Sequence, residues 1–232
     1  MHWQSLYCDA VADAIAIIGG TGALGRGLAA RLALAGRDVV IGSRDASRAA
    51  EVASSITGEG TVTGLSNADA AAAGNIVFVC VPFSSQAPTL KEIKGSLSEG
   101  TILVDATVPL ATNVGGPPTR TLGVWQGSAA QQAESLVPAG VTVVAGLHTV
   151  SADLLGDLEH DLDEDTLLCS NDRDAIAKVA EILNLVPGLR SIDAGRLELA
   201  KVTEQMTALM ISINIRHKAR TGVRVTGLNP DA

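Results

Sequence analysis

Aromatic side chains are scarce in this chain of 232 residues, where Phe, Trp and Tyr together make up 2% of the sequence. Ala, Val, Leu and Ile must therefore fill most of the core. Proteins that bind single-stranded nucleic acid stack the bases on aromatic rings, so this mode of binding is disfavoured. The net charge of -8 also argues against nucleic acid as a partner, because neutralising phosphates requires a basic surface.

Cysteine is scarce as well, and Cys8, Cys80 and Cys169 are widely spaced, odd in number and without metal-ligand spacing. This pattern is typical of a reduced cytoplasm rather than of a disulfide framework. No apolar run reaches the roughly 18 residues that span a bilayer. Residues 1–13 lack the features of a signal peptide and are interpreted as an extension ahead of the first strand. We therefore expect a cytoplasmic protein with no membrane segment and no bound metal.

Short apolar runs alternate with segments of helical periodicity along the chain. The predicted strands are Ala14–Ile18, Asp38–Ile41, Thr61–Gly64, Ile76–Val81, Thr101–Val104, Val141–Ala145, Thr166–Cys169 and Leu189–Ile192. The predicted helices are Ala23–Ala35, Ala46–Ile56, Ala68–Ala73, Gln86–Lys94, Ala129–Leu136, Arg173–Leu183 and Leu197–Arg220. This alternation indicates parallel βαβ units. The predicted fold class is α/β, a Rossmann-type, doubly wound and mostly parallel sheet, with a smaller C-terminal substrate-binding portion that ends in a long helix.

The stretch Asp105–Gly127 is rich in Gly and Pro and has no predicted element. Loops of this length in compact domains are usually functional or disordered. It follows the carboxyl end of a predicted strand, which is where open α/β sheets bind ligands. We therefore place this loop near the ligand site.

A glycine-rich segment follows the first predicted strand and opens the first predicted helix. Residues 20–25, GTGALG, fit G-x-G-x-x-G in the position that the dinucleotide fingerprint requires. In such a loop Gly20 permits the tight turn, Gly22 lets the backbone approach a pyrophosphate, and Gly25 lets the helix pack closely on the strand. The helix N-terminus then offers free N–H groups to the phosphates. The plainer alternative is a strand–helix turn without a ligand.

The residues that end the second predicted strand, Gly42, Ser43 and Arg44, indicate which dinucleotide is bound. NAD-binding units usually place Asp or Glu here to hold the ribose hydroxyls. Ser43 can instead donate a hydrogen bond to a 2′-phosphate, and Arg44 can bind it with a forked set of donors. Arg48 lies one helical turn further on and can face the same phosphate. The sequence favours NADP over NAD, the alternative being that both arginines are solvated surface residues.

Four ordered segments carry a family resemblance that runs from residue 14 to about residue 228. IIGGTGALGRGLAARLALAG…VVIGSR resembles a family opening of GGTG-x-LG-x-GLA followed by GSR. VPF at residues 81–83 resembles I-P-W, and VVAGLHTV at residues 143–150 resembles S-A-L-H-T-I. SIDAGRLELAKVTEQMTALMISINIR resembles D-A-G-x-L leading into a long C-terminal helix. The family that the chain resembles is that of the F420-dependent NADP reductases.

The resemblance implies hydride transfer between NADP(H) and the 5-deazaflavin coenzyme F420. It implies that residues 14–148 form an NADP-binding Rossmann domain and that residues 149–232 complete the deazaflavin pocket. Matched position by position, and with the motif glycines included, it assigns the cofactor contacts to Gly20, Thr21, Gly22, Ala23, Leu24, Gly25, Ser43, Arg44, Arg48, Val81, Pro82, Phe83, Val108 and Ala152. The chain departs from the family pattern where Arg48 replaces a lysine, Phe83 a tryptophan and Ser151 a proline.

No residue is assigned as catalytic, because in hydride transfer the carriers hold the chemistry and the protein supplies orientation and a dry site. His148 and Thr149 are the candidates for binding the acceptor. His148 could hydrogen-bond the deazaflavin or balance charge on its reduced ring. Equally, backbone groups at a strand end could satisfy its ring nitrogens.

Two other functions stay open. One is an NADPH-dependent reductase of another acceptor, such as a flavin, an imine or, through a partner, a metal. The other is a non-catalytic NADP(H)-binding redox sensor, although residues 81–83 and 148–149 favour an enzyme. The long last helix is predicted to pack on the sheet, or alternatively to form a homodimer interface, through apolar residues at a spacing of three to four: Leu199, Val202, Met206, Leu209, Met210 and Ile213.

Overall fold

A mixed sheet organises the structure, a computed structural model that describes residues 15–228. Its strands are β1 (Ile15–Ile18), β2 (Val39–Ser43), β3 (Val62–Ser66), β4 (Ile76–Val79), β5 (Ile102–Asp105), β6 (Thr142–Ala145), β7 (Glu164–Ser170) and β8 (Leu189–Gly195). The strand order is β3-β2-β1-β4-β5-β6-β7-β8. The eight predicted strands are therefore confirmed, with shifted boundaries.

The first six strands run parallel, and only β7 is antiparallel to its neighbour β6 before β8 runs parallel to β7. The chain builds outward from β1 through β2 to β3 and then returns to place β4 on the other side of β1. This reversal of strand order opens a crevice at the carboxyl ends of β1 and β4, where doubly wound sheets bind their ligands.

Helices cover both faces of the sheet. They are α1 (Ala23–Leu34), α2 (Ala46–Ser54), α3 (Asn67–Ala73), α4 (Phe83–Ile93), α5 (Ala129–Leu136), α6 (Ala152–Gly156), α7 (Arg173–Leu183) and α8 (Ala200–His217). Alternating residues of β1 point to opposite faces, so Ile17 belongs to the core cluster that includes residues of α1 and α7, and Ile18 belongs to the cluster that includes residues of α3 and α4. The predicted α/β class, its mostly parallel sheet and its long C-terminal helix are confirmed.

Local chemistry explains where the predicted boundaries are wrong. The fourth strand ends at Val79 rather than Val81, because Pro82 has no N–H for the sheet and instead precedes α4, which Phe83 begins. The last helix ends at His217 because Lys218 adopts the left-handed conformation, with φ of 50°. The short helix α6 was not predicted; the Ser151 side chain caps its N-terminus by accepting from Leu154 N–H.

The loop after β5 has little regular structure, as predicted. Asp105 itself is the last residue of β5, and the loop then forms one 3-10 turn at Ala111–Val114 and an isolated bridge between Leu110 and Thr121. It ends where the Ser128 hydroxyl caps α5 by accepting from Gln131 N–H at 3.0 Å.

The face of α8 that packs on the domain differs from the predicted apolar one. Val202 and Leu209 are 55% and 57% exposed, and Leu199, just ahead of the helix, is 44% exposed. The buried residues of α8 are instead small or polar: Ala200, Thr203, Glu204 and Ala208. The prediction was wrong for Leu199, Val202 and Leu209, whereas Met206, Met210 and Ile213 are half-buried. The packing face is shifted because the polar side chains on it bond to groups of other elements, which apolar periodicity does not register.

Arg31 joins α1 to the segment around α6 through its buried side chain, 3% exposed. Its Nε donates to Leu155 O at 2.8 Å, and its Nη2 donates to the carbonyls of Leu154, Asp157 and His160 at 2.6–3.0 Å. Burial lowers the pKa of this guanidinium, and the carboxylates of Asp161 and Asp157 oppose that shift. The arginine thus fixes a stretch of chain that has few backbone hydrogen bonds of its own.

Candidate cofactor site

The turn between β1 and α1 depends on a glycine that precedes the predicted motif. Gly19 has φ of +79°, and a Cβ there would lie 2.6 Å from Cys80 O on the neighbouring strand. The tight turn was predicted at Gly20, whose φ is ordinary. A side chain at Gly20 would not fit, because its Cβ would lie 2.6 Å from the Cβ of Ile41. Gly25 has the predicted role, because a Cβ there would lie 2.8 Å from Gly19 O and so prevent close packing of the helix on the strand.

The N-terminus of α1 offers backbone donors to the crevice. The first helical hydrogen bond runs from Arg26 N–H to Gly22 O at 2.8 Å. Within residues 15–228, the amides of Ala23, Leu24 and Gly25 have no hydrogen-bond partner. No acidic residue lies in the first turn. This arrangement suits a phosphate group, which takes free amides and the positive end of the helix dipole.

Ser43, Arg44 and Arg48 meet at the end of β2 and the start of α2. Both arginines are exposed, and neither forms an ion pair with a carboxylate among the described residues. Asp45 stands beside them, but its Oδ1 accepts from the amides of Ser47 and Arg48 at 2.9 and 3.3 Å and so caps α2. Two unpaired guanidinium groups beside a hydroxyl provide the positive charge and the donors that a dianionic phosphate requires.

One cleft of about 510 Å³ joins the glycine turn to this cationic site. Its walls include the predicted residues Thr21, Gly22, Ser43, Arg44, Arg48, Val81 and Pro82. They also include Asn67, Ser85 and Thr89, which the sequence did not indicate. The cleft therefore offers one continuous surface to a pyrophosphate and to a second phosphate attached to the same nucleotide.

The other predicted residues lie around this cleft rather than along it. Gly20, Leu24 and Gly25 belong to the turn and the start of α1 but do not line the cleft, and Phe83 begins α4. Ala23 and Ala152 line a neighbouring cavity of about 460 Å³ between α1 and α6. Val108 follows β5, and His148 and Thr149 follow β6, all near the carboxyl edge of the sheet.

His148 is buried, at 6% exposure. Its Nδ1 lies 3.0 Å from Thr203 Oγ1, whose own hydroxyl donates to Ala200 O at 3.0 Å. The hydroxyl oxygen therefore accepts from Nδ1–H, and Nε2 is left as a buried acceptor without a partner among residues 15–228. Burial lowers the pKa of His148 to about 4, although a hydrogen bond with the backbone of Asp105 opposes this shift, so the ring is neutral at pH 7 and brings no positive charge to the site.

A buried polar network beneath the carboxyl edge of the sheet was not predicted from the sequence. Gln86 Nε2 donates to Asp105 Oδ2 at 2.7 Å, to Thr107 Oγ1 at 2.8 Å and to Ala129 O at 2.9 Å. Burial raises the pKa of Asp105 to about 7, although the bonds from Thr107 and Gln86 lower it. The only sequence signal was a glutamine on the inner face of a helix.

Glu204 links α8 to the same network. Its carboxylate accepts from the amides of Ala129 and Ala130 at 2.9 and 3.1 Å, and so caps the N-terminus of α5 from another helix. Burial raises its pKa to about 7, against the lowering effect of these two amides, and the charge of Asp105 adds to the rise. Ionisation of both the Asp105 and the Glu204 carboxyl groups is thus unfavourable, and together they carry fewer than two negative charges near neutral pH.

The raised pKa of Glu204 predicts how stability depends on pH. The folded state favours the protonated form, so this contribution is complete below the ordinary pKa near 4.5 and is lost as the pH rises to about 7. From pH 8 to pH 6 the wild type is expected to gain about 1.4 kcal/mol from this carboxyl, a gain that Glu204→Gln lacks. Urea unfolding of both proteins at the two pH values measures the difference. His148 acts in the opposite sense but is present in both proteins, so identical pH dependence would contradict the assignment.

Fold and cleft together define the class: a Rossmann-type α/β protein whose crevice has the donors and the length for a phosphorylated dinucleotide. No cluster of three or more His, Cys, Asp or Glu able to hold a metal occurs in the described part of the chain. Nor does any helix between residues 15 and 228 have the length and apolarity to cross a membrane.

Comparison with known proteins defines the family. The family model described as NADP oxidoreductase, coenzyme F420-dependent, matches residues 14–109. The F420-dependent NADP reductase of Methanothermobacter thermautotrophicus is 40% identical over 221 residues, which cover 92% of this chain and 95% of that protein. The enzyme of the same name from Methanocaldococcus jannaschii is 38% identical over 222 residues. The chain belongs to the F420-dependent NADP reductase family.

Solved structures agree on the fold. A crystal structure of a protein from Arthrobacter sp. FB24, provisionally described as an F420-dependent NADP reductase, superposes with a TM-score of 0.77 and 26% identity, covering 92% of this chain and 99% of that one. An imine reductase from Bacillus cereus superposes with a TM-score of 0.60 at 18% identity and shares the fold alone.

Proposed function

We propose that this protein transfers a hydride between NADP(H) and the deazaflavin coenzyme F420. The observation that carries the NADP half is the meeting of Ser43, Arg44 and Arg48 with the glycine turn in one cleft. The F420 half rests on family membership over 92% of the chain. Residues 14–148 would bind NADP, and residues 149–232 would complete the pocket for F420.

The described residues fit NADP on three counts. The free amides of Ala23, Leu24 and Gly25 would hold the pyrophosphate. Gly22 leaves the backbone approachable, because a Cβ there would lie 3.3 Å from Gly19 O and project into the turn. The hydroxyl of Ser43 and the guanidinium groups of Arg44 and Arg48 would hold the 2′-phosphate.

When both coenzymes are bound, the nicotinamide supplies or takes the hydride at carbon 5 of the deazaflavin, and NADPH, F420 and one proton give NADP+ and reduced F420. The protein contributes orientation. The nicotinamide end of NADP(H) would be bordered by Val81, Pro82 and Phe83. Further contacts to the cofactor would come from Val108 and Ala152. Neutral His148 would offer its Nε2 as a hydrogen-bond acceptor to the deazaflavin, beside Thr149.

The reaction is tested by mixing the protein with NADPH and oxidised F420 and following the deazaflavin absorbance. We expect bleaching with NADPH and much slower bleaching with NADH. Absence of bleaching at every pH between 5 and 9, although NADPH binds, would reject F420 as the acceptor. An imine or a flavin in place of F420 serves as the control acceptor.

We further propose that the protein works as a homodimer through its exposed apolar residues on and beside α8, among them Val202, Leu209 and Ile215, each more than half exposed. Sedimentation analysis at micromolar concentration is expected to show a dimer, and Leu209→Glu is expected to show a monomer. A wild-type monomer would exclude the tight dimer.

The partners of the protein would be small-molecule coenzymes and not nucleic acid. Its free Cys80 and Cys169 suit the cytoplasm.

A further inference from the structure

Asn67, the first residue of α3, carries a buried polar atom that the described residues leave without a partner. Its side chain is 3% exposed, and its Nδ2 donates to Glu92 Oε2 at 3.3 Å. Because a carboxylate only accepts, this contact turns the amino group toward Glu92 and leaves Oδ1 as an acceptor. Oδ1 is buried and has no donor among residues 15–228. A buried acceptor without a donor is costly, which suggests that a ligand supplies one.

The position of Asn67 relates this acceptor to the cofactor cleft. Asn67 lines the cleft together with Ser43, Arg44 and Thr89. The parallel register pairs Ser43 with Ser66, so residue 67 lies just beyond the level of the 2′-phosphate site and one strand farther from the glycine turn. Gly42 allows Asn67 to pack against the end of β2, because a Cβ on Gly42 would lie 3.2 Å from Oδ1 and 3.0 Å from Ile18 Cδ1.

The layout of the sheet determines which part of a dinucleotide reaches Asn67. In the proposed function the pyrophosphate lies at the end of β1, where α1 begins, and the 2′-phosphate lies at the end of β2. A nucleotide held in this way can extend its adenine base, which is attached to the same ribose, toward the end of β3. At neutral pH a phosphate has little donor capacity, whereas the 6-amino group of adenine is a donor that matches a carbonyl-type oxygen.

We propose that Asn67 recognises the adenine base of NADP(H) by accepting a hydrogen bond from its 6-amino group through Oδ1. This inference rests on the proposed function, because it takes NADP(H) as the ligand of the cleft. It makes Asn67 a specificity-determining residue for the base. A hypoxanthine base carries an oxygen in place of the amino group and would set one acceptor against another, so it would be rejected.

The test is a binding titration without F420, in which NADPH and its hypoxanthine analogue are compared by their fluorescence. The wild type is expected to bind NADPH about tenfold more tightly than the analogue, and Asn67→Leu is expected to reduce this preference to about twofold. In the variant, NADPH affinity is expected to fall about fivefold, the loss of one hydrogen bond. Asn75→Leu is the matched control, because Asn75 is exposed and lines a cavity at the opposite end of the sheet.

Each outcome decides between the inference and the function on which it rests. If the wild type binds both nucleotides equally, or if Asn67→Leu keeps the wild-type preference, base recognition by Asn67 is wrong while the NADP site stands. If the wild type does not bind NADPH, the NADP half of the proposed function fails as well. If thermal unfolding shows that Asn67→Leu does not fold, the preference of the wild type for NADPH over the hypoxanthine analogue decides alone. A wild type that binds both nucleotides equally overturns the inference.

Discussion

The double change Ser43→Asp and Arg44→Ala is expected to weaken NADPH binding about a hundredfold or more, because two charge-assisted hydrogen bonds are lost and a carboxylate is placed against the phosphate. NADH binding is expected to change little or to improve, since an acidic residue at this strand end can hold the ribose hydroxyls. Fluorescence titration with both nucleotides measures the change in preference.

A matched control separates this effect from a general loss of positive charge. Arg173→Ala removes another exposed arginine, at the start of α7, where it pairs with Asp193 at 3.4 Å outside the cofactor cleft. NADPH affinity is expected to stay at the wild-type value in this variant. A double variant whose NADPH affinity remains within about threefold of wild type would show that β2 does not end at the 2′-phosphate site.

Replacing Arg31 by Leu is expected to lower the free energy of unfolding by about 3 to 5 kcal/mol, the largest stability effect that we expect from a single side chain. The guanidinium donates to four carbonyls between Leu154 and His160, and Leu provides no donor for any of them. The melting temperature is expected to fall by roughly 6 to 20 °C for a chain of this size. Thermal and urea unfolding measure both quantities.

Arg26 provides the control on the same helix. It is exposed, so Arg26→Leu is expected to change the free energy of unfolding by less than about 0.5 kcal/mol. Arg31→Lys is expected to recover only part of the loss, because an ammonium group does not reproduce the planar fork. Equal stability of Arg31→Leu and wild type would show that the segment around α6 is held by other contacts.

The sheet and most helices were predictable because their signals are local. Apolar runs and helical periodicity located the eight strands and seven of the helices in residues 15–228, while the assignment of Ser43 and Arg44 to a 2′-phosphate stays a prediction. The helix α6 was too short to have a period, and Pro82 ended β4 earlier than its apolar run suggested.

The remaining features depend on contacts between distant parts of the chain. Gly19 is required by the approach of Cys80 O, which only the pairing of β1 with β4 brings near. Glu204 is buried because it caps α5, 75 residues away, and the packing face of α8 is therefore shifted away from Val202 and Leu209. Asn67 lies in the cofactor cleft because β3 pairs with β2. None of these three roles has a local pattern that the sequence alone could reveal.

Isotope labelling shows whether the hydride passes directly from NADPH to F420. NADPH carrying deuterium on the transferred face of nicotinamide carbon 4 is mixed with the protein and oxidised F420, and the product is analysed by mass spectrometry. Reduced F420 is expected to gain one deuterium, located at carbon 5. Reduced F420 without deuterium from either face of NADPH, or no reduced F420 at all, would contradict it.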